Sequence, residues 1–353
     1  MKRCNNNPLI SPNDVAPSRH DFHVEGIFNC GVCRYQDETL LICRVSESAG
    51  FTESSVRVPV MTHEDGRPAM SVVEVKKSDH PNWNFSDSRS VSIKTPGGRR
   101  MIYLTSFSHL RIARSKDGVH FTVDDAPMIQ PETPEETWGM EDPRVTQIGD
   151  TYYINYTAVS PHGPATALLS TKDFVRFERQ GIIFAPENKD VVIFPEKIGG
   201  KYYALNRPVS HDFSAPEMWI CESPDLIHWG NQRHFCGVPE TGWENGRVGG
   251  GAVPFYTEKG WIEIYHAADR SNRYCLGAML LDAQNPQKIL ARTEAPILQP
   301  EAPYETNGFF HNTVFTCGCW QNGNNVVLYY GAGDDKICRA DFTLDEIYRA
   351  LKI

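Results

Sequence analysis

Along most of this chain apolar and polar residues alternate in short runs, and turn-forming residues break the runs at hairpin spacing. A period of two places successive side chains on opposite faces of an extended strand. Alternating or β-rich runs occupy residues 39–45, 91–93, 101–106, 151–158, 201–206, 218–222, 261–266, 275–281 and 325–330. Gly149-Asp150, Gly199-Gly200, Lys259-Gly260 and Asn322-Gly323-Asn324 punctuate them. A helical pattern is credible only at 344–351, where Thr343 is placed to cap the N-terminus, Asp345 and Glu346 lie in the first turn and Arg349 lies near the end. The pattern predicts an all-β fold with a short C-terminal helix.

The runs also repeat at longer range. Ser115-Lys116-Asp117-Gly118-Val119-His120-Phe121 resembles Thr171-Lys172-Asp173-Phe174-Val175-Arg176-Phe177, and both resemble Ser223-Pro224-Asp225-Leu226-Ile227-His228-Trp229. The pattern [Ser/Thr]-x-Asp-x-x-x-aromatic recurs after 56 and then 52 residues, each time after a strand-like run. A multi-strand unit of this length is the signature of a β-propeller blade, with an Asp turn followed by an aromatic packed between blades. Five blades fit the 353 residues. A β-sandwich with shared turn chemistry is the competing architecture. No linker divides the chain, so 1–353 is expected to be one five-bladed propeller domain. Its ligands would converge on the central channel from distant parts of the sequence.

Charge and composition narrow the function. The net charge is −9 without a basic run, so the electrostatic footprint of a nucleic-acid binder is missing. No run of about eighteen apolar residues predicts a membrane span. Lys2 and Arg3 are followed by no apolar stretch, so no secretory signal is expected and a cytoplasmic location is the default. Ten cysteines include Cys30-x-x-Cys33 and Cys317-x-Cys319, but most of the others lie in apolar runs. A second CxxC is missing, so reduced, buried thiols are expected rather than a zinc site. No metal and no organic cofactor is expected; homo-oligomerisation stays open.

Among the polar clusters the most informative is Glu141-Asp142-Pro143-Arg144, read as the mouth of the strand at 151–158. Proline stiffens the backbone on both sides of itself. A rigid acid beside a fixed cation suits a proton donor of set pKa; a surface ion pair is the plainer reading. Other clusters at strand mouths are Asn29 with Arg44, His109 with Arg111, Lys189-Asp190 with Glu196, and Asn206-Arg207. Glu244 with Arg247, His266, Tyr304 and Asp334 complete the set. Gly249-Gly250-Gly251 lacks P-loop spacing and suits close backbone approach.

Glu141-Asp142-Pro143-Arg144-Val145-Thr146 with Tyr153–Ala158, Lys189-Asp190 with Phe194-Pro195-Glu196-Lys197, Arg207-Pro208, Ser223-Pro224-Asp225-Leu226 and Tyr265-His266 together resemble glycoside hydrolase family 130. The likeness runs from about Asn7 to the last strand. It implies a five-bladed propeller that cleaves β-mannosides with inversion. It also implies that Asp142 is the general acid, protonating the glycosidic oxygen through a sugar hydroxyl. In the phosphorylases of the family a basic set holds phosphate. By motif position these residues are Lys189, Arg207, Arg247 and His266, with Lys189 and Arg247 standing where Arg and Lys respectively are common. Asn206 departs from the His that often precedes Arg-Pro. Asn29, Arg44, His109, Arg111, Glu141, Arg144, Asp190, Asn206, Tyr304 and Asp334 are the expected sugar contacts.

A phosphate dianion needs several convergent donors. An inverting hydrolase instead needs a carboxylate set back to leave room for water, for which Glu244 and Glu196 are candidates. Four basic residues favour phosphorolysis of a β-mannoside, with mannose 1-phosphate as product. The resemblance, particularly over the Phe28–Gly31 and Arg44–Glu47 regions, implies the β-1,2 linkage, with β-1,4 left open. The alternatives are an inverting β-1,2-mannosidase and, more remotely, a glycan-binding propeller, which would have no use for Asp142 as an acid.

Overall fold

The computed structural model describes residues 1–210 and 213–353. It is all-β, apart from short 3-10 turns, the turn Pro303–Thr306 and the C-terminal helix Leu344–Leu351. Every strand-like run in the sequence falls on an observed strand. Thr343 caps the helix as expected: its Oγ1 accepts from Glu346 N at 3.1 Å, and Glu346 Oε2 accepts from Thr343 N at 3.0 Å.

Four-stranded antiparallel ladders recur along the chain. One runs Asn188–Ile193, Tyr202–Pro208, Met218–Ser223, Gly230–Cys236. The next runs Arg247–Gly249, Gly260–Ala268, Tyr274–Leu281, Ile289–Arg292. Another joins Val314–Asn322, Asn325–Ala332 and Lys336–Thr343 to the N-terminal strand Lys2–Arg3, so the two ends of the chain share a sheet. Earlier in the chain, Gly139–Ile148, Thr151–Ser160, Gly163–Thr171 and Glu178–Phe184 form a fourth ladder. It connects to His23–Tyr35, Glu38–Ser48 and Ser106–Ser115 through one parallel bridge, Gly139 to Ser108. Gly139 is required there: φ is +119° and a Cβ would lie 2.5 Å from Ser108 N. Residues 51–105 form sheets of their own, the hairpin Ser55–Glu64/Arg67–Lys76 and the small sheet Trp83–Asn84/Ser90–Thr95/Gly98–Leu104.

The apolar cores lie between consecutive ladders. Ile42, Ile112, Ile154 and Leu169 form one; Leu168, Ile193 and Ala204 the next; Leu205, Ile220, Trp261 and Met279 a third. Ile264, Leu276, Leu328 and Tyr330 form a fourth, closed by Ile347 and Leu351 of the helix. Ile27, Leu41, Tyr329 and Ile337 join the first ladder to the last.

The repeated motif turns the third strand of three ladders. Asp117 Oδ1 accepts from Val119 N and His120 N at 2.9 and 2.8 Å, Asp173 Oδ1 from Val175 N and Arg176 N at 2.9 and 2.8 Å, and Asp225 Oδ1 from Ile227 N and His228 N at 3.0 and 2.9 Å. The aromatic then packs across to a neighbouring ladder, Phe121 on Tyr329 and Trp229 on Phe184, each with ring centroids 5.7 Å apart.

Glu141-Asp142-Pro143-Arg144 is not a strand mouth. It lies within Gly139–Ile148, at a register break between Glu141 and Arg144. Matching breaks fall between Phe28 and Gly31 and between Lys189 and Val192. Asn29, Asp142 and Asp190 sit in these bulges with φ of 48°, 49° and 54°. Asn and Asp tolerate left-handed backbone better than other side chains do, and a bulge re-aims the side chain it carries.

Candidate active site

The three bulged residues converge. Asp142 Oδ1 accepts from Asn29 Nδ2 at 2.9 Å and from Arg44 Nη1 at 3.1 Å. Burial pushes the Asp142 carboxyl up, but Arg44, Lys189 and the Asn29 hydrogen bond outweigh it and hold the group below its ordinary range. Arg44 also donates Nη2 to Glu141 Oε1 at 2.8 Å, and Lys189 Nζ lies 3.4 Å from Glu141 Oε2. Arg144 is fully buried and acts as a brace. It donates Nη1 to the Asp142 carbonyl at 3.0 Å, Nη2 to Gly250 O at 2.8 Å and Nε to Gly251 O at 3.0 Å. Glycine also lets this stretch pack closely on its neighbour, since a Cβ on Gly251 would stand 2.2 Å from Ile264 O.

Asp190 anchors a second buried network. Its Oδ2 lies 2.9 Å from Arg207 Nη1 and 3.1 Å from His266 Nε2, and its Oδ1 lies 3.4 Å from Arg144 Nη2. Burial opposes its charge, yet Arg207, His266 and Arg144 hold this carboxyl far below the usual range. Gly249 belongs to the same junction, because a Cβ there would meet His266 Nε2 at 2.6 Å and Asp190 Oδ2 at 2.7 Å. Arg247 differs from the other cations. Its partners are neutral, Tyr274 Oη at 2.9 Å and Asn272 Oδ1 at 2.5 Å, and no carboxylate pairs with it among the described residues.

These groups line a cavity of about 240 Å³ that includes Asn29, Glu141, Asp142, Lys189, Asp190, Arg207, Arg247 and Asp334. Through Arg44, Arg89, Glu141, Phe310 and Asp334 it adjoins a second cavity of about 290 Å³. Burial raises the Asp334 carboxyl to about 7; Asp142 and Glu141 add to the rise, while Arg44 and Arg89 oppose it. The arrangement sets the Asp142 carboxyl and other hydrogen-bonding groups beside three cations, Lys189, Arg207 and Arg247. Among the described residues no cluster of His, Cys, Asp and Glu suits a metal, and the cysteines are free and mostly buried. No helix among the described residues is long and apolar enough to cross a membrane.

Several sequence candidates do not reach the cavity. Glu244 is held by Arg292 Nη2 at 2.6 Å and Tyr265 Oη at 2.9 Å, and Glu196 is exposed on a bend; neither is among the residues that line this cavity. His109 and Arg111 are buried on the opposite face of their strand, His109 3.6 Å from Glu47 and Arg111 donating to Ala16 O at 2.7 Å. Strand alternation explains this, because Ser108 of the same strand faces the second cavity. Asn206 likewise points away from its neighbour Arg207, bonding Asn188 and Gln232 at 3.0 Å each. Tyr304 packs on the core beside the C-terminal helix. His266 is fully buried behind Asp190 and touches Phe315, with ring centroids 4.2 Å apart; it braces the carboxylate that holds Arg207. Arg89, Tyr274, Phe310, Thr313 and Phe315 line the cavity without having been singled out from the sequence. The Asp-Ser-Arg triplet at 87–89, an Asp two residues before an Arg, was the available signal for Arg89.

The comparisons with known proteins agree with this chemistry. The model of glycoside hydrolase family 130, described as β-1,4-mannooligosaccharide phosphorylase, matches residues 101–353. The chain is 47% identical over 352 residues to the β-1,2-mannobiose phosphorylase of Listeria innocua serovar 6a, covering 99% of this chain and 98% of that protein. It is 40% identical over 244 residues to a 1,2-β-oligomannan phosphorylase of Thermoanaerobacter sp. (strain X514), covering 68% of this chain and 80% of the relative. The solved structure of the Listeria innocua enzyme in complex with β-1,2-mannobiose superposes with a TM-score of 0.94, covering 99% of both chains. This chain belongs to glycoside hydrolase family 130.

Proposed function

We propose that this protein is an inverting β-1,2-mannobiose phosphorylase, built as a single five-bladed β-propeller. Five inter-ladder cores that follow one another and return from the last ladder to the first support that architecture, as does the sharing of one sheet by both chain ends. The observation that carries the reaction is the grouping of Lys189, Arg207 and Arg247 on the Asp142 cavity, while Glu244 and Glu196 stand outside it. Three convergent cations suit a phosphate dianion. Of the carboxylates that line the cavity, Glu141 is paired with Arg44 and Lys189, and Asp190 with Arg207, Arg144 and His266; beside Asp142 there remains Asp334, which burial raises to about 7.

In this reading phosphate enters beside Lys189, Arg207 and Arg247 and attacks the anomeric carbon from the face opposite the leaving oxygen. Asp142 delivers the proton to that oxygen through a sugar hydroxyl. In the free enzyme Asp142 is held ionised by Arg44 and Lys189. A bound dianion near Lys189 opposes that pull and raises the carboxyl toward the protonated, donating form. Asn29, Arg44, Glu141 and Asp334 bind the mannosyl hydroxyls. Phosphate is a co-substrate, and the reaction calls for no organic cofactor.

The test is β-1,2-mannobiose with and without inorganic phosphate, followed by mannose 1-phosphate and free mannose. Mannose 1-phosphate formed only with phosphate is expected. Equal release of free mannose in phosphate-free buffer would identify the hydrolase instead. β-1,4-Mannobiose run in parallel separates the linkages.

A further inference from the structure

Three loops that lead into strands with cavity residues share a sequence pattern and a junction. Residues 126–136 and 295–305 both read Ala-Pro-x-[Ile/Leu]-Gln-Pro-Glu-x-Pro-x-Glu, and Pro239-Glu240-Thr241-Gly242-Trp243-Glu244 keeps the last part with Gly for the final Pro. In each, the last glutamate accepts from a tyrosine and an arginine. Glu136 Oε1 takes Tyr156 Oη and Arg179 Nη1, both at 2.5 Å. Glu244 Oε2 takes Tyr265 Oη at 2.9 Å and Arg292 Nη2 at 2.6 Å. Glu305 Oε1 takes Tyr330 Oη at 2.7 Å and Arg3 Nε at 2.8 Å. The tyrosine comes each time from the second strand of its ladder and the arginine from the fourth. Each tyrosine directly precedes a residue paired with the first strand: Thr157 opposite Glu141, His266 opposite Gly249, Gly331 opposite Phe315. In the ladder that begins at Asn188 the same place, before Arg207 opposite Lys189, is held by Asn206, whose partners Asn188 and Gln232 are neutral.

We propose that Glu136, Glu244 and Glu305 are positioning residues, each closing a Tyr–Glu–Arg clasp that holds the approach to one part of the site, so that the three clasps separately set the acid, the phosphate cation and the wall that carries Asp334. The inference rests on the reading of the enzyme as a β-mannoside phosphorylase. None of the clasp side chains lines either cavity, so each acts through the backbone it holds. Beyond Glu136, Trp138 N donates to Val159 O at 2.9 Å, and the same strand then carries Asp142. Beyond Glu244, Gly246 N donates to Ala268 O at 2.9 Å, and Arg247 follows, opposite Ala268. The Glu305 carbonyl accepts from Thr313 N at 3.0 Å, and Gly333 N, next to Asp334, donates to Thr313 O at 3.1 Å. Glu136 and Glu305 are almost fully buried. A buried ion pair seldom stabilises a fold more than apolar side chains of like volume would, but with a hydroxyl as third member it admits one arrangement of loop, second strand and fourth strand. That precision bears on chemistry, because a misplacement of about 1 Å can cost on the order of 10²-fold in rate.

Tyr156→Phe, Tyr265→Phe and Tyr330→Phe test the clasps one at a time, because each removes a single hydroxyl and keeps the ring and the Glu–Arg pair. Phosphorolysis is followed with phosphate and mannobiose varied in turn, beside a melting curve for each variant. Tyr265→Phe is expected to raise KM for phosphate roughly three- to tenfold, the order of one net hydrogen bond, with KM for mannobiose within about twofold of wild type. Tyr330→Phe should do the reverse, raising KM for mannobiose by about the same factor and leaving that for phosphate. Tyr156→Phe should lower kcat roughly three- to tenfold with both KM values within about twofold. Clasps that only stabilise the fold would lower the melting temperature in all three variants and leave kcat and both KM values of the folded enzyme unchanged. That result overturns the proposal, as does one kinetic pattern shared by all three. Hydrolysis of mannobiose by the wild type without phosphate would end the phosphorylase reading but not this one. Tyr156→Phe must then still lower kcat with KM for mannobiose unchanged, and a change in KM alone, or none in kcat, would refute the clasp's role.

Discussion

Replacing Arg247 by alanine should weaken phosphate binding while leaving the sugar nearly untouched. Arg247 is the suitable cation for this experiment because its own contacts are neutral, Tyr274 Oη at 2.9 Å and Asn272 Oδ1 at 2.5 Å. Removing Arg207 would unbalance Asp190, and removing Lys189 would release Glu141. Removing Arg247 leaves no buried carboxylate without a partner, so the fold should survive. Among the described residues no carboxylate pairs with its guanidinium, which can give its charge to an incoming anion. A hydrogen bond to a charged group is worth about 1.5–3 kcal/mol net. At about 1.4 kcal/mol per decade, phosphate KM should rise roughly 10- to 100-fold in Arg247→Ala. Arg247→Lys keeps the charge and loses the fork, and should fall between the two. The assay is the initial rate of mannose 1-phosphate formation with phosphate and mannobiose varied in turn. A proportional rise in both KM values, or an unchanged KM for phosphate, would refute the assignment.

Asp142→Asn should lower kcat by about 10²–10⁴, the usual worth of a positioned acid, with phosphate binding retained in a direct titration; a loss below tenfold would remove Asp142 from that role. Asp190→Asn should cost about 3–5 kcal/mol of stability, because Arg144 and Arg207 would be left buried without their carboxylate. Since the folded protein holds Asp190 far below the ordinary carboxylate pKa, its stabilisation is present at neutral pH and fades as pH falls below about 4. The variant's deficit in urea unfolding should shrink in that range, and a deficit that did not depend on pH would contradict the ion-pair account. Asp334 behaves oppositely. Its folded-state pKa of about 7 lies above the unfolded value, so its contribution is full below about pH 4 and is lost as pH rises through 7. Asp334→Asn should unfold at a higher urea concentration than wild type at pH 8 and show a flatter pH profile; lower stability at pH 8 would count against it.

The sequence by itself determined the strand architecture and singled out Asp142 as the candidate acid. Strands such as Thr151–Ser160 and Gly260–Ala268 carry local alternation or β-rich composition, and the Asp-turn motif marks the end of a strand in three ladders. Thr343 and the acids after it set the C-terminal helix. The motif around Asp142 carried the family. Four of the strands that face the cavity were not legible as strands. His23–Tyr35, Gly139–Ile148, Asn188–Ile193 and Val314–Asn322 are buried along most of their length and broken in register. Their apolar runs and bulged polar residues hide the period of two. Tertiary structure alone decided that Glu244 is tied to Arg292, that His266 stands behind Asp190, that Arg111 faces away, and that Arg89 reaches the cavity from the segment 51–105. The physical reason is that alternation is a property of neighbours along the chain. Membership of a cavity depends instead on the face each strand turns inward, which bulges and the packing of separate ladders fix across a hundred residues or more.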